Sequence, residues 1–156
     1  MANVGKELAL VCAGNQEKFN ACTIMYGAEG MIWSKPVYFI FIKPERYTFD
    51  FIQDSEYFTV NYFPEEMNHI HKVFGSESGR DVDKVKKTGL TPMKVNGSIS
   101  FEEASEVYIC KKIYMEQMKR ELEPDDVVKM YNDPKNIIYG ESHYMIIGEI
   151  VEHIVK

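Results

Sequence analysis

The chain has 156 residues, 45% apolar and 27% charged, which fits an ordinary globular domain and excludes a disordered tail, a collagen-like rod or a disulfide scaffold. Twenty-four acidic against 18 basic residues leave a net charge of −6, which argues against nucleic acid and membrane surfaces as partners, since both draw on clustered Lys and Arg. No apolar run approaches the roughly 20 residues of a spanning helix, and the three cysteines, Cys12, Cys22 and Cys110, are odd in number and lack metal-type spacing, so reduced thiols in a cytoplasm are expected.

The opening Met-Ala-Asn-Val-Gly-Lys-Glu has neither the charged start nor the apolar stretch of a signal peptide. No repeat, low-complexity tract or linker follows, so a single domain over 1–156 is expected. Residues 8–13 form a short apolar run. Residues 37–42, Val-Tyr-Phe-Ile-Phe-Ile, are apolar without alternation, the pattern of a strand buried on both faces. A short helix is expected over 46–53, then an aromatic and β-branched strand over 56–63. Pro64, Glu65 and Glu66 open a helix predicted to run to Phe74 and stop at Gly75. Ser78-Gly79-Arg80-Asp81 looks like a capping box starting a helix that ends at Gly89.

Asn96-Gly97 is a hairpin turn signal. Residues 106–115 read as a half-exposed strand, Pro124-Asp125-Asp126 opens another helix, and 143–155 form a long strand. Predominant strands with short intervening helices predict a mainly β (α+β) chain rolled into a small barrel.

The sequence contains no Gly-x-Ser-x-Gly elbow, Walker lysine loop, dinucleotide glycine fingerprint or Cys/His metal constellation. His69 and His71 are two apart and do not share a helix face, so a solvated helix is expected there and not a metal site. Glu121, Glu123, Asp125 and Asp126 read as a solvated turn, and Cys22 as a buried structural thiol. Three segments suit an anion: Trp33-Ser34-Lys35-Pro36, Arg46-Tyr47-Thr48, and Gly75-Ser76-Glu77-Ser78-Gly79-Arg80. Hydroxyls, an Arg and free backbone N–H groups at a helix start form a natural phosphate site. Two of the chain's three arginines fall in these segments. Ten of the 20 aromatic residues lie within 38–63 and are expected mostly in the core. Tyr26, Trp33 and Tyr47 remain as contacts for a planar ligand.

The order of these motifs resembles the flavin reductase-like family of FMN-binding split β-barrel proteins, close to flavoredoxins. Asn20-Ala21-Cys22-Thr23-Ile24-Met25-Tyr26-Gly27 and Gly30-Met31-Ile32-Trp33-Ser34-Lys35-Pro36 resemble its opening signature. Arg46-Tyr47-Thr48, Tyr57-Phe58-Thr59-Val60, Phe63-Pro64-Glu65-Glu66, the Gly75 to Lys84 stretch, Gly89-Leu90-Thr91-Pro92 and Gly148-Glu149-Ile150-Val151 continue it. The resemblance implies a homodimer holding FMN near the subunit interface. It further implies Asn20, Thr23, Ile24 and Met25, with Tyr26, along the ring edge. Trp33, Ser34 and Lys35 would lie at the ring or ribityl chain, and Arg46, Tyr47, Thr48, Ser76, Ser78, Gly79 and Arg80 around the phosphate. At Met25-Tyr26, where relatives often carry Gly-Trp, the chain departs from the pattern, which bears on the ring contact and the electron acceptor.

A flavin supplies its own redox chemistry, so the absence of an acid–base dyad or metal site is consistent with this resemblance. His143, at the start of the last strand, is the one candidate catalytic side chain, with a solvated strand-end histidine as the alternative. The expected activity passes electrons from NAD(P)H to a flavin, metal ion or other small acceptor. Two alternatives stay open: a flavoredoxin-like carrier reduced by a redox protein, and a non-catalytic FMN-binding module.

Overall fold

The computed structural model describes residues 7–80 and 82–156. Nine strands dominate: β1 (Ala9–Gly14), β2 (Phe19–Ile24), β3 (Gly27–Ile32), β4 (Lys35–Ile42), β5 (Tyr57–Tyr62), β6 (Pro92–Val95), β7 (Ser98–Phe101), β8 (Glu106–Gln117) and β9 (Tyr144–Val155). Four short helices interrupt them: α1 (Tyr47–Asp54), α2 (Ile70–Ser76), α3 (Lys84–Thr88) and α4 (Asp125–Asn132). Seven strands form one antiparallel sheet in the order β2-β1-β5-β8-β9-β4-β3, and β6-β7 form a separate hairpin. Among the described residues, no helix is long and apolar enough to cross a membrane.

Alternation along β1 shows why the sheet carries two cores. Ala9, Val11 and Ala13 point inward with Ile24, Tyr38, Ile40, Phe58, Val60 and Ile146. Leu10 and Cys12 point the other way, where Ile70, Phe74, Leu90, Ile99 and Phe101 cover them. The sheet curls because β8 and β9 bend around register shifts at Ile109/Cys110 and Lys112/Tyr114. The chain passes from β2 through Met25 and Tyr26 straight into β3, which sets the end of β2 near β4; Tyr26 O accepts from Phe41 N at 3.3 Å, one step beyond the β3–β4 ladder.

Several elements differ from the sequence reading. Residues 19–24 and 27–32, to which the sequence reading gave no element, are strands, because their pairing partners β1 and β4 are strongly apolar. The stretch from Pro64 splits into a 3-10 turn, Glu65–Met67, and α2. Gly75 sits inside the last turn of α2, whose cap is Glu77. Of the helix predicted from Ser78, only α3 forms, capped by Asp83, which accepts from Lys86 N at 3.1 Å; Asp81, part of the capping-box reading, lies outside the described residues. His71 and the side chain of Glu123 are buried rather than solvated. The Asn96-Gly97 turn forms as read, with Gly97 at φ 72° and its α-carbon against the Tyr57 ring. Trp33 and Ser34 link β3 to β4 in a two-residue turn with φ of 52° and 58°.

Gly148 is where β9 passes closest to its neighbours. A Cβ there would stand 2.5 Å from both Cys110 Cβ and Phe58 Cζ. Gly148→Ala is therefore expected to lower stability by about 1–3 kcal/mol in urea denaturation, through overpacking of the barrel interior.

Candidate functional site

Two adjoining cavities open where β2, β4 and α1 meet, sharing Cys22 and Arg46 as a common wall. One, of about 150 Å³, is polar: Tyr47 and Thr48 from the start of α1 face Ser76, Ser78 and Lys84. The other, of about 170 Å³, is mostly apolar: Ile24, Met25 and Tyr26 face Phe41, Ile138 and His143. A larger hollow of about 550 Å³ lies on the far side of Lys84, bordered by Asn20, Gly79 and Arg80.

Buried hydrogen bonds hold the polar cavity. Asn20 Nδ2 donates to Thr48 Oγ1 at 2.8 Å, tying β2 to the first turn of α1. The first N–H groups of that helix have no intrahelical partner and favour a negative charge. Arg46 Nη1 and Nη2 donate to Gly75 O (3.1 Å) and Phe74 O (2.7 Å), carbonyls left open at the end of α2. Arg80 Nη2 pairs with Asp50 Oδ2 at 2.8 Å, and its guanidinium stacks over Tyr47 at 4.6 Å. Ser76 Oγ donates to Lys72 O, and Ser78 Oγ accepts from Arg80 N at 3.2 Å.

Lys84 is the residue that the sequence did not single out. It is 4% exposed, and its Nζ donates to Ala21 O at 3.0 Å. Burial pushes its pKa down to about 8, and no carboxylate pairs with it among the described residues. A buried ammonium without a counter-ion, beside Arg46 and a helix start, is a donor set that fits a phosphate dianion. Sequence alone gives little sign of this, because Lys84, Lys86 and Lys87 look alike until the register of α3 turns only the first inward.

The apolar end is shaped by two histidines and a loop. Thr23 Oγ1 bonds His71 Nδ1 at 2.9 Å, and burial lowers the His71 pKa to about 4. His143 meets the edge of the Tyr26 ring at 5.5 Å, and burial, then the nearby Lys43 charge, lowers its pKa to about 4. Lys43 Nζ donates to Glu45 Oε2 (3.1 Å), Ile138 O (2.8 Å) and Tyr139 O, fastening the loop that carries Ile137 and Ile138 over the cavity.

The structure thus gathers Thr23, Ile24, Met25, Tyr26, Arg46, Tyr47, Thr48, Ser76, Ser78 and His143 around the paired cavities, with Asn20, Gly79 and Arg80 alongside. It does not bring Trp33, Ser34 and Lys35 there. They sit at the other end of the β3–β4 hairpin, about 20 Å away at strand spacing. There Trp33 lies beside Tyr114 and Lys35 pairs with Glu149.

The model of the flavin reductase like domain matches residues 1–156. The chain belongs to the flavin reductase-like family. An FMN-binding protein from Thermus thermophilus with bound p-hydroxybenzaldehyde aligns with a TM-score of 0.74 at 18% identity, over 96% of this chain and 71% of that one. A flavoredoxin from Methanosarcina acetivorans aligns with a TM-score of 0.74 at 16% identity, over 96% and 68%. A flavin-reductase-type protein with a split barrel domain from Shewanella frigidimarina aligns with a TM-score of 0.74 at 18% identity, over 97% and 67%. No curated protein sequence matches the chain. At these identities the likeness is one of fold, and the family's split barrel with short helices is the expected one.

His71 and His143 make a pH prediction for this flavin reductase-like domain. Both titrate near pH 4 when folded, against 6.5 for the free side chain. The unfolded chain therefore takes up their protons first as pH falls. Stability is full above 6.5 and is lost on the way down to about 4. Urea denaturation at pH 5 should show a loss of about 2 kcal/mol per histidine relative to pH 7, and His71→Gln should remove its share of the slope.

Proposed function

We propose that the chain is an FMN-dependent oxidoreductase that passes electrons from NAD(P)H to a flavin, metal ion or other small acceptor. The observation that carries this reading is the junction of a cationic polar cavity with an apolar one across Cys22 and Arg46. That shape suits a molecule with a phosphate at one end and a flat ring at the other. Arg46, Tyr47, Thr48, Ser76, Ser78 and Lys84 would hold the phosphate, with Asn20, Gly79 and Arg80 supporting them. Thr23, Ile24, Met25 and Tyr26 would line the ring edge, with His143 beside it. When bound, the flavin supplies the hydride and electron chemistry. Ile24, Phe41 and Ile138 exclude water from one side of the ring, while the exposed Met25 and Tyr26 leave an approach for a donor.

The reading includes a homodimer in a reducing cytoplasm. Met31, Trp33 and Val151 expose apolar side chains, and the three cysteines are free and buried. In a dimer, Trp33, Ser34 and Lys35 would reach a ring from the neighbouring copy. A second reading, a flavoredoxin-like carrier served by a redox protein, draws support from the fold likeness to the M. acetivorans protein and from the lack of a nicotinamide motif in the sequence.

The purified protein is expected to be yellow and to bleach when NADH or NADPH is added. Bleaching by a ferredoxin-type donor alone selects the carrier, and bound FMN that no donor reduces indicates a non-catalytic module. A protein still colourless after FMN loading and desalting overturns the cofactor assignment. Arg46→Ala, Arg80→Ala and Lys84→Met should each weaken FMN retention about tenfold or more, with Lys119→Ala near wild type; equal retention in all four removes the phosphate assignment.

A further inference from the structure

His143 lies at the apolar end of the site, and each of its polar atoms except one has a partner. Its backbone N–H donates to Tyr131 Oη at 3.3 Å, and its carbonyl accepts from Met118 N at 3.0 Å. Imidazole Nδ1 stands 2.5 Å from the same Tyr131 Oη. Tyr131 Oη accepts the backbone N–H, and Nδ1 is the one acceptor recorded for its own hydrogen among the described residues. A hydroxyl that donates to Nδ1 requires that nitrogen bare, and a neutral ring then carries its hydrogen on Nε2. Nε2 has no partner among the described residues, and the side chain that bears it is 8% exposed and lines the cavity.

The tyrosine cannot swing away. Tyr131 is buried on α4, and its carbonyl accepts from Gly140 N at 2.9 Å. The Arg120 guanidinium lies 4.6 Å over its ring. Arg120 also binds Ser142 Oγ (2.8 Å), Gly140 O (2.8 Å) and Asn132 Oδ1 (3.2 Å). One guanidinium therefore clamps α4 to the segment that delivers His143. A cation over the ring face also draws density from the phenol and strengthens it as a donor. The other groups near the imidazole are Tyr26, Lys43 and Glu45, and none of them bonds Nε2.

We propose that Tyr131, clamped by Arg120, holds His143 as its Nε2–H tautomer, making it a fixed hydrogen-bond donor to an acceptor atom on the ring bound in the apolar cavity. Tyr131 and Arg120 are positioning residues, acting through His143. The acceptor's identity rests on the flavin reading above, whereas the tautomer does not. An N–H facing an apolar cavity is costly when unpaired, so the site selects ligands that present a carbonyl or bare ring nitrogen at that point. Because burial lowers the His143 pKa to about 4, the ring stays neutral, and this donor unswitched, at neutral pH.

The tautomer can be read by 15N NMR of the labelled full-length chain, with and without FMN. The wild type is expected to show Nδ1 unprotonated and Nε2 protonated in both states. Tyr131→Phe should shift the Nδ1 resonance toward the averaged position of a free neutral histidine. FMN affinity gives a second readout. His143→Gln places an amide N–H near the Nε2 position and should keep the dissociation constant within about threefold. His143→Asn places it near Nδ1 and should weaken binding about tenfold. A wild-type ring protonated on Nδ1, a folded Tyr131→Phe with an unchanged spectrum, or equal affinities for the Gln and Asn variants overturns the proposal. The wild-type spectrum and the Gln/Asn pair decide the matter even where Tyr131→Phe does not fold. FMN that fails to bind the wild type overturns the flavin reading and the acceptor assigned to Nε2, while the spectrum still reports the tautomer.

Discussion

The pairing of β8 with β9 is the constraint from which the rest follows. These two strands run twelve residues each and are hydrogen-bonded along nearly their whole length, with two register shifts that bend them. A straight pair would leave the strands on either side, β5-β1-β2 and β4-β3, splayed apart. The bend rolls them toward each other, so that the end of β2 and the end of β4 meet although they are far apart in sheet order. Glycine at 148 lets the bent strand pass over Phe58 and Cys110. The paired cavities lie where the two flanks come together, and their walls therefore come from segments more than a hundred residues apart in sequence.

Charge is distributed around that meeting point with little waste. The chain is acidic overall, yet Arg46, Arg80 and Lys84 converge within two short helices of the polar cavity. Arg46 holds the end of α2, Arg80 covers Tyr47 and pairs with Asp50, and Lys84 is buried against Ala21. Of these, only Arg80 has a carboxylate partner among the described residues. Two cations without counter-ions in a partly dry site amount to stored electrostatic attraction for an anion, which a fully paired arrangement would lack. The apolar end follows another rule: burial keeps its histidines neutral, and Lys43 is taken up by Glu45 and by the carbonyls of the covering loop.

The parts legible in the sequence were those fixed by local chemistry. The run 37–42 is a strand, with Phe39 and Phe41 on one face only half-buried, Asn96-Gly97 is a hairpin turn, and Pro124-Asp125-Asp126 a helix start, because the signals lie within a few residues. Strands β2 and β3 were not legible. Their Asn, Thr and Gly residues look like loop, and they become strands only by pairing with apolar neighbours; Gly30 faces the Phe39 ring, where a side chain would collide. At the site, the motif order led to Arg46, Thr48 and Ser78. Lys84, Lys43 and Tyr131 were missed because their roles depend on which way a helix turns or on contacts made across long separations in the chain. Trp33-Ser34-Lys35 was legible as a motif, but its distance from the cavities was not, since a hairpin's reach appears only once its strands are placed.

That hairpin tip has a further consequence. A two-residue turn with both residues left-handed suits Asn-Gly, and a side chain in that conformation costs about 1–2 kcal/mol per residue. Here Trp and Ser occupy it instead. The short turn leaves the backbone almost no alternative geometry, so the backbone that carries the 59% exposed indole is held in place. A surface that packs against it gives up little disorder in doing so, because the barrel has already frozen that prong. The strained turn therefore acts as preorganisation: part of the ordering entropy of any contact at this end of the molecule is already lost when the chain folds.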